Sequence, residues 1–279
     1  MRIFGREARV GWSGGSIRVE PEAVHNVSTD NALATTAMTI PTLEHSPTSA
    51  IHLIGGEKGG VGKSMVARVL AQYFIDHEWP FVGFDTDRSH GSLRRFYANY
   101  ASEALVDQYE ALDRIVEAAL ARAGVRVLVD LAAQTHDPLV KWMDESGVLD
   151  MGNLSGFTLK YWHVMDNGRD SIDLLAKLLD RFGHRVHYVV VRNQLRGNDF
   201  SLLDKSGLLD RAAALGAKVV DLKQLHGPLV QKIDARNSSF WAAKNTVPSV
   251  EGPVLGIMER QRLKLWMNHA YGEMVKAGP

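Results

Sequence analysis

Residues 50–77, AIHLIGGEKGGVGKSMVARVLAQYFIDH, place an apolar run, a glycine-rich loop and a helical apolar pattern end to end. The run reads as a buried strand, and the spacing after Lys63 reads as a helix with one apolar face. A strand that turns through glycines straight into a helix constrains the fold strongly, because that helix must pack back on the sheet the strand has just left. Gly59, Gly60 and Gly62 allow a tight turn and let backbone N–H groups approach an anion. The helix N-terminus adds the positive end of its dipole at the same point. Lys63 is spaced to reach the β- and γ-phosphates of a nucleotide and Ser64 to ligate Mg²⁺, with Val61 and Met65 completing the loop and first turn.

The alternation continues down the chain. PFVGFDTD, VRVLVDLA, LKYWHVMD, VHYVVVRNQ and AKVVDLKQ read as strands. DQYEALDRIVEAALARAG reads as an amphipathic helix closed by a glycine, and further helices are expected near 169–182, 202–214 and 256–276. This pattern predicts an α/β domain over 50–279: a mostly parallel central sheet with helices on both faces. Ligands of such sheets bind at the carboxyl ends of the strands. Residues 1–49 are small, polar and without periodicity, and read as a disordered extension within which Met38 is a candidate start.

Composition narrows the function classes. Lys+Arg and Asp+Glu balance at 32 each, so net charge points to neither nucleic acid nor an anionic membrane. The chain has no cysteine, which excludes disulfides, thiolate metal sites and cysteine nucleophiles and fits a cytoplasmic protein. No apolar run approaches the ~20 residues of a membrane span. The histidines, His52, His90, His136, His163 and His226 among them, show no metal-ligand spacing and read as structural.

Three strands end in groups suited to nucleotide chemistry. Asp85 and Asp87 follow the second, where a carboxylate can hold an attacking water, support a metal shell or cap the next helix. Asp130 ends the third after a run of apolar residues, as a Mg²⁺-holding carboxylate does. Gln134 and Thr135 lie in the segment after it, where a switch loop would sit. Asn193 ends a later strand. Arg260, Arg262 and Lys264 lie on the last helix beside Leu263, Trp266, Met267, Ala270 and Met274; that stripe reads as core, and the cations leave contact with a DNA backbone open. Residues 234–245 read as a partner-facing or base-side segment.

The loop departs from G-x-x-x-x-G-K-[ST] in having Glu57 at its first position and a second lysine, Lys58, after it. KGGVGKS resembles the deviant Walker A loop of the ParA/MinD family of P-loop ATPases, and FDTD resembles that family's second nucleotide motif. WHVMDNGRDSIDLL and RQRLKLW extend the resemblance toward its conjugative-transfer and mobilisation branch. The resemblance implies ATP with Mg²⁺, and a homodimer in the ATP state in which Lys58 reaches the partner's phosphates. It implies that Asp87 orients water, that Asp85 supports the Mg²⁺ shell and that Asn193 binds adenine, unless Asn193 caps the turn before Gly197. It also implies a protein partner that stimulates weak hydrolysis, as in plasmid partition, transfer or polar localisation. Arg88 and Ser89 depart from the proline and glutamine that often follow the second motif. Two other readings stay open: a P-loop small-molecule kinase, with Arg94 and Arg95 as lid arginines, and a nucleotide-binding interaction protein without turnover.

Overall fold

The computed structural model describes residues 48–245 and 252–279; the extension, apart from its last two residues, and Met38 lie outside them. The elements in chain order are β1 (Ser49–Gly55), α1 (Lys63–Asp76), β2 (Phe81–Asp85), α2 (Ser92–Phe96), β3 (Ala101–Glu103), α3 (Tyr109–Ala121) and β4 (Arg126–Asp130). They continue with α4 (His136–Glu145), α5 (Val148–Ser155), β5 (Phe157–Met165), α6 (Arg169–Phe182), β6 (His187–Asn193), α7 (Ser201–Asp204) and α8 (Leu208–Ala214). The last are β7 (Lys218–Leu222), α9 (Gly227–Ala235), α10 (Phe240–Lys244) and α11 (Ile257–Ala277).

The seven strands form one sheet in the order β3-β2-β4-β1-β5-β6-β7, with every pairing parallel. Their carboxyl ends therefore share one edge. The first strand sits between β4 and β5, so its loop opens at the middle of that edge. Alternation along the strands divides the core in two. Ile51, Leu53, Val127, Val129, Leu159 and Val190 pack with α3, α4, α5 and α6. Ile54, Leu128, Trp162, Val164, Val189 and Val220 pack with α1, α9, α10 and α11. The P-loop α/β fold expected from the sequence is the fold observed.

Local departures have simple causes. The helix expected over 202–214 is two, α7 and α8, because the chain passes through Gly207 at φ 73°. The glycine expected to close α3 lies beyond its end; Arg122 is already extended and Gly124 follows at φ 74°. Four short elements carried no readable period: α2, the edge strand β3, and the pair α4 and α5. On α11 Leu263, Met267, Ala270 and Met274 of the expected stripe are buried, whereas Trp266 is only partly buried because its Nε1 donates to the Lys223 carbonyl at 2.7 Å. Within the segment 234–245, Phe240 and Ala243 are core, Asp234 pairs with Arg68 at 2.9 Å, and Trp241 stands half exposed. Among the described residues no helix is long and apolar enough to cross a membrane.

Two histidines lie inside the sheet. His52 Nδ1 accepts from Trp162 Nε1 at 3.1 Å, and His163 Nε2 faces the Ser171 carbonyl at 3.2 Å. Burial lowers both, His163 to about 4. Below pH 6.5 the unfolded chain takes up the His163 proton first, so the stability this residue contributes is complete above pH 6.5 and declines toward pH 4, by up to ~3 kcal/mol. Urea midpoints of the wild type and His163→Gln should therefore converge as pH falls from 7 to 4.5. A constant gap across that range would show that His163 is not held neutral.

Candidate functional site

The loop between β1 and α1 is held open by backbone conformation and by supports from neighbouring strands. Gly60 and Gly62 have φ of 73° and 95°, the left-handed region that side chains disfavour. A Cβ on Gly62 would also lie 2.2 Å from Asn193 Nδ2. That amide donates to the Val61 carbonyl at 2.7 Å, tying the end of β6 to the loop. Neither sequence reading of Asn193, adenine partner or turn cap, describes this bond. Arg196 comes from the same region, and its Nη2 lies 3.2 Å from where a Cβ on Gly60 would be.

In front of the loop is a cavity of about 230 Å³, lined by Gly59, Gly60, Gly62, Lys63, Ser64 and Met65 from the loop side. Asp87, Asp130 and the segment Leu131–Ala133 close it from the strand ends. Larger hollows of about 500 and 670 Å³ lie along the far half of α1, with neither a glycine loop nor strand-end carboxylates. The site is therefore placed by its chemistry and not by its size.

Within the cavity Lys63 is buried, and its Nζ donates to the Lys58 carbonyl at 3.2 Å. Burial lowers its pKa, opposed by Asp130, Asp87 and Glu57. Asp130 is 3% exposed, and its Oδ1 has no hydrogen-bond partner. Burial, then the neighbouring Asp85, pushes its carboxyl up to about 7, against the Ser64 hydroxyl and Lys63, which favour the charged form. A buried carboxylate oxygen without a donor, beside a serine hydroxyl at a helix start, suits a small hard cation. Ser64 and Asp130 are the residues present that fit Mg²⁺.

The D-x-D pair divides its work. Asp85 is fully buried, and its two oxygens accept from the backbone N–H groups of Asp87 at 3.0 Å and Arg94 at 3.1 Å. It does not line the cavity; it shapes the turn that carries Asp87 there. Desolvation works against ionisation of Asp87, but the N–H groups of His90 and Ser89, at 3.0 and 2.8 Å, hold its pKa below the usual value. Asp87 is thus a charged acceptor at neutral pH.

Lys58 points away from the cavity. Its Nζ lies 3.1 Å from Asp166 Oδ2 and 3.7 Å from Asp170 Oδ2. Asp166 directly follows β5 and also receives Ser171 Oγ at 2.6 Å, Gly168 N at 3.1 Å and Arg196 Nη1 at 3.3 Å. Thr86 bridges two strand ends, donating to the Asp130 carbonyl at 3.2 Å and accepting from Ala132 N at 2.8 Å. Thr135 closes the segment after β4 by donating to the Ala132 carbonyl at 2.8 Å, while Gln134 is exposed at φ 61°. Sequence reasoning gave no role to Thr86, Asp166 or Arg196. The one available hint was that Asp166 lies in the motif WHVMDNGRDSIDLL.

The chain is similar to the protein MobD of Acidithiobacillus ferrooxidans, 25% identical over 226 residues that cover 79% of this chain and 94% of the relative. The likeness is to ParA/MinD-type P-loop proteins. This mobilisation-type relative and the KGGVGKS loop on its strand–helix junction carry that statement. No family model matches. Among solved structures, a nucleotide-binding protein in complex with ADP from Archaeoglobus fulgidus has a TM-score of 0.45 at 14% identity, covering 68% of this chain and 88% of its own. The MinD cell division protein of Aquifex aeolicus has a TM-score of 0.44 at 12% identity, covering 81% and 98%. Likenesses this distant carry no weight for function.

Asp130 yields a test of the site's electrostatics. Its folded pKa is raised, so the folded state loses stability as pH rises from the unfolded value of ~3.9 through about 7. Asp130→Asn should raise the melting temperature of nucleotide-free protein at pH 8 by ~3 °C or more, the shift of about 1 kcal/mol in a domain of this size. It should also remove any Mg²⁺ dependence of nucleotide affinity. An unchanged or lower melting temperature would mean that Asp130 is not strained by burial.

Proposed function

We propose that this protein is a cytoplasmic ATPase switch that dimerises with ATP and recruits or positions a partner, in mobilisation, plasmid partition or polar localisation. The observation that carries the reading is the pairing of two lysines on one loop with opposite orientations. Lys63 faces the cavity from within, and Lys58 stands outside it beside Gly59, which is exposed and has no atom within 4 Å of where a Cβ would be. A second copy can approach that rim, and Lys58 can then serve the partner's phosphates.

In this reading the loop N–H groups and Lys63 bind the β- and γ-phosphates of ATP. Ser64 and Asp130 would hold Mg²⁺, which would supply positive charge against those phosphates. Asp87, ionised and at the cavity wall, accepts a proton-side hydrogen bond from the attacking water and orients it. Asp85 holds the Asp87 turn, and Thr86 fixes the two strand ends relative to each other. Turnover is slow until a protein partner completes the site. Arg262 and Lys264 are exposed on α11 and remain available to non-specific DNA, whereas Arg260 is engaged with the Leu255 carbonyl at 3.1 Å.

The kinase reading loses its lid arginines. Arg94 pairs with Glu103 at 3.1 Å, and Arg95 lies over the Phe96 ring at 4.5 Å; neither lines the cavity. No specific contact favours a protein that binds nucleotide without turnover.

Asp87→Ala should bind ATP and hydrolyse it ~10²-fold or more slowly than wild type, the range for removing a group that handles the reacting proton. Its mass by light scattering should be that of a dimer with ATP and Mg²⁺ and of a monomer with ADP. Adding Lys58→Ala should abolish the dimer without abolishing binding. A monomer in both nucleotides, with binding confirmed, would overturn the switch.

A further inference from the structure

Phosphate binding has no use for Glu57, the residue that breaks the ordinary loop pattern. It is half-buried just after β1, and the first two residues of α4 lie against it. One ligating atom each from Glu57, His136 and Asp137 falls within 4.8 Å of the other two. Beside them is a hollow of about 10 Å³, space for one water-sized body, with Glu57, Thr135, His136 and Tyr161 in its wall. His136 also carries a buried Nδ1 with no hydrogen-bond partner, and its ring is braced edge-on by Phe182 at 6.1 Å. A donor set, a hollow of ionic size and an unsatisfied ring nitrogen thus meet at Glu57 and His136; Asp137 belongs to the donor set but does not line the hollow.

We infer that Glu57, His136 and Asp137 form a site for a borderline transition-metal ion, Zn²⁺ or one of its neighbours, which ties the first residue of the loop to the first turn of α4. The donor set selects the class. An imidazole with two carboxylates suits Zn²⁺, Co²⁺ or Ni²⁺, whereas Mg²⁺ and Ca²⁺ prefer oxygen alone. Three protein ligands leave one position for water, as tetrahedral zinc sites other than closed structural ones do. Ligands at ~2.0–2.2 Å from a tetrahedral ion stand roughly 3.4 Å apart, so the three atoms must draw in by about 1 Å. Asp137 is exposed and can supply most of that movement.

The N-terminus of α4 favours the carboxylates and opposes the cation. Two negative charges offset that opposition. The site is separate from the Ser64–Asp130 pair and does not depend on nucleotide. Its consequence is mechanical: the ion would clamp the segment 131–137, which borders the phosphate cavity, against the start of the loop.

The test is Co²⁺ titrated into the full-length chain without nucleotide or Mg²⁺, followed by visible absorption, with Zn²⁺ measured in parallel by calorimetry. One ion per chain is expected, with a Co²⁺ ligand-field band. Affinity should drop at least tenfold in His136→Ala and in Glu57→Gln, and stay within twofold of wild type in Ser64→Ala. Glu57→Gln and Asp137→Asn preserve side-chain shape, so they decide the matter if His136→Ala fails to fold. Absence of saturable binding, binding unaffected by all three ligand variants, or binding lost in Ser64→Ala would each overturn the assignment.

Discussion

Everything at this site depends on two aspartates placed side by side at the ends of parallel strands. The register of β2 and β4 sets Asp85 opposite Asp130, each in the last position of its strand. Burial raises the pKa of both; Asp85 raises Asp130 further, and Asp87 raises Asp85. The structure resolves the pair unequally. Asp85 receives backbone N–H groups and becomes part of the scaffold, whereas Asp130 keeps a bare oxygen beside Ser64 and Lys63. Lys63 cannot balance the account alone, since burial weakens its own charge. A divalent cation there would restore balance at the point where phosphate oxygens also need it, and the electrostatic cost in the free protein would then favour binding.

The loop in front of that pair is kept in shape from a distance. Asn193 reaches from β6 to the Val61 carbonyl across 132 residues of sequence. Gly55 is a glycine because the Tyr161 hydroxyl from β5 would lie 2.1 Å from its Cβ. These supports come from β5 and β6, while the carboxylates come from β2 and β4. The site therefore exists only when the crossover from β4 to β5, on the other side of β1, is complete.

How much of this could be read beforehand follows from the range of the interactions. The long strands, α1, α6 and α11 were legible because their apolar period is local, and Asp85, Asp87 and Asp130 because a carboxylate after a buried run is conspicuous. β3 was not legible: three half-buried residues at a sheet edge carry no period. The paired helices α4 and α5 were hidden by Pro138 in a first turn and by Gly147 between them. Asn193 was read as an adenine partner or a turn cap, but the group its amide bonds belongs to a loop far away in sequence. Thr86, Asp166 and Arg196 gave no signal for the same cause. Each matters through a partner 30 to 108 residues distant, and nothing in the flanking sequence specifies that partner.

The position of Lys58 bears on whether a crossed-lysine dimer is compatible with this fold. In the single chain the lysine is held by Asp166, with Asp170 nearby, at 24% side-chain exposure. A partly exposed ion pair of this kind stabilises by about 1 kcal/mol or less. When Lys58 swings out, Asp166 is not left bare, because Arg196, the Ser171 hydroxyl and the Gly168 N–H remain on it. The usual penalty for breaking a buried pair, an uncompensated charge, is thereby avoided. A phosphate with several negative oxygens offers Lys58 a stronger, charge-assisted partner than the shared carboxylate it leaves. A resting contact this weak, on a carboxylate with other donors, is compatible with a dimer in which Lys58 would be given up to a neighbour's phosphates.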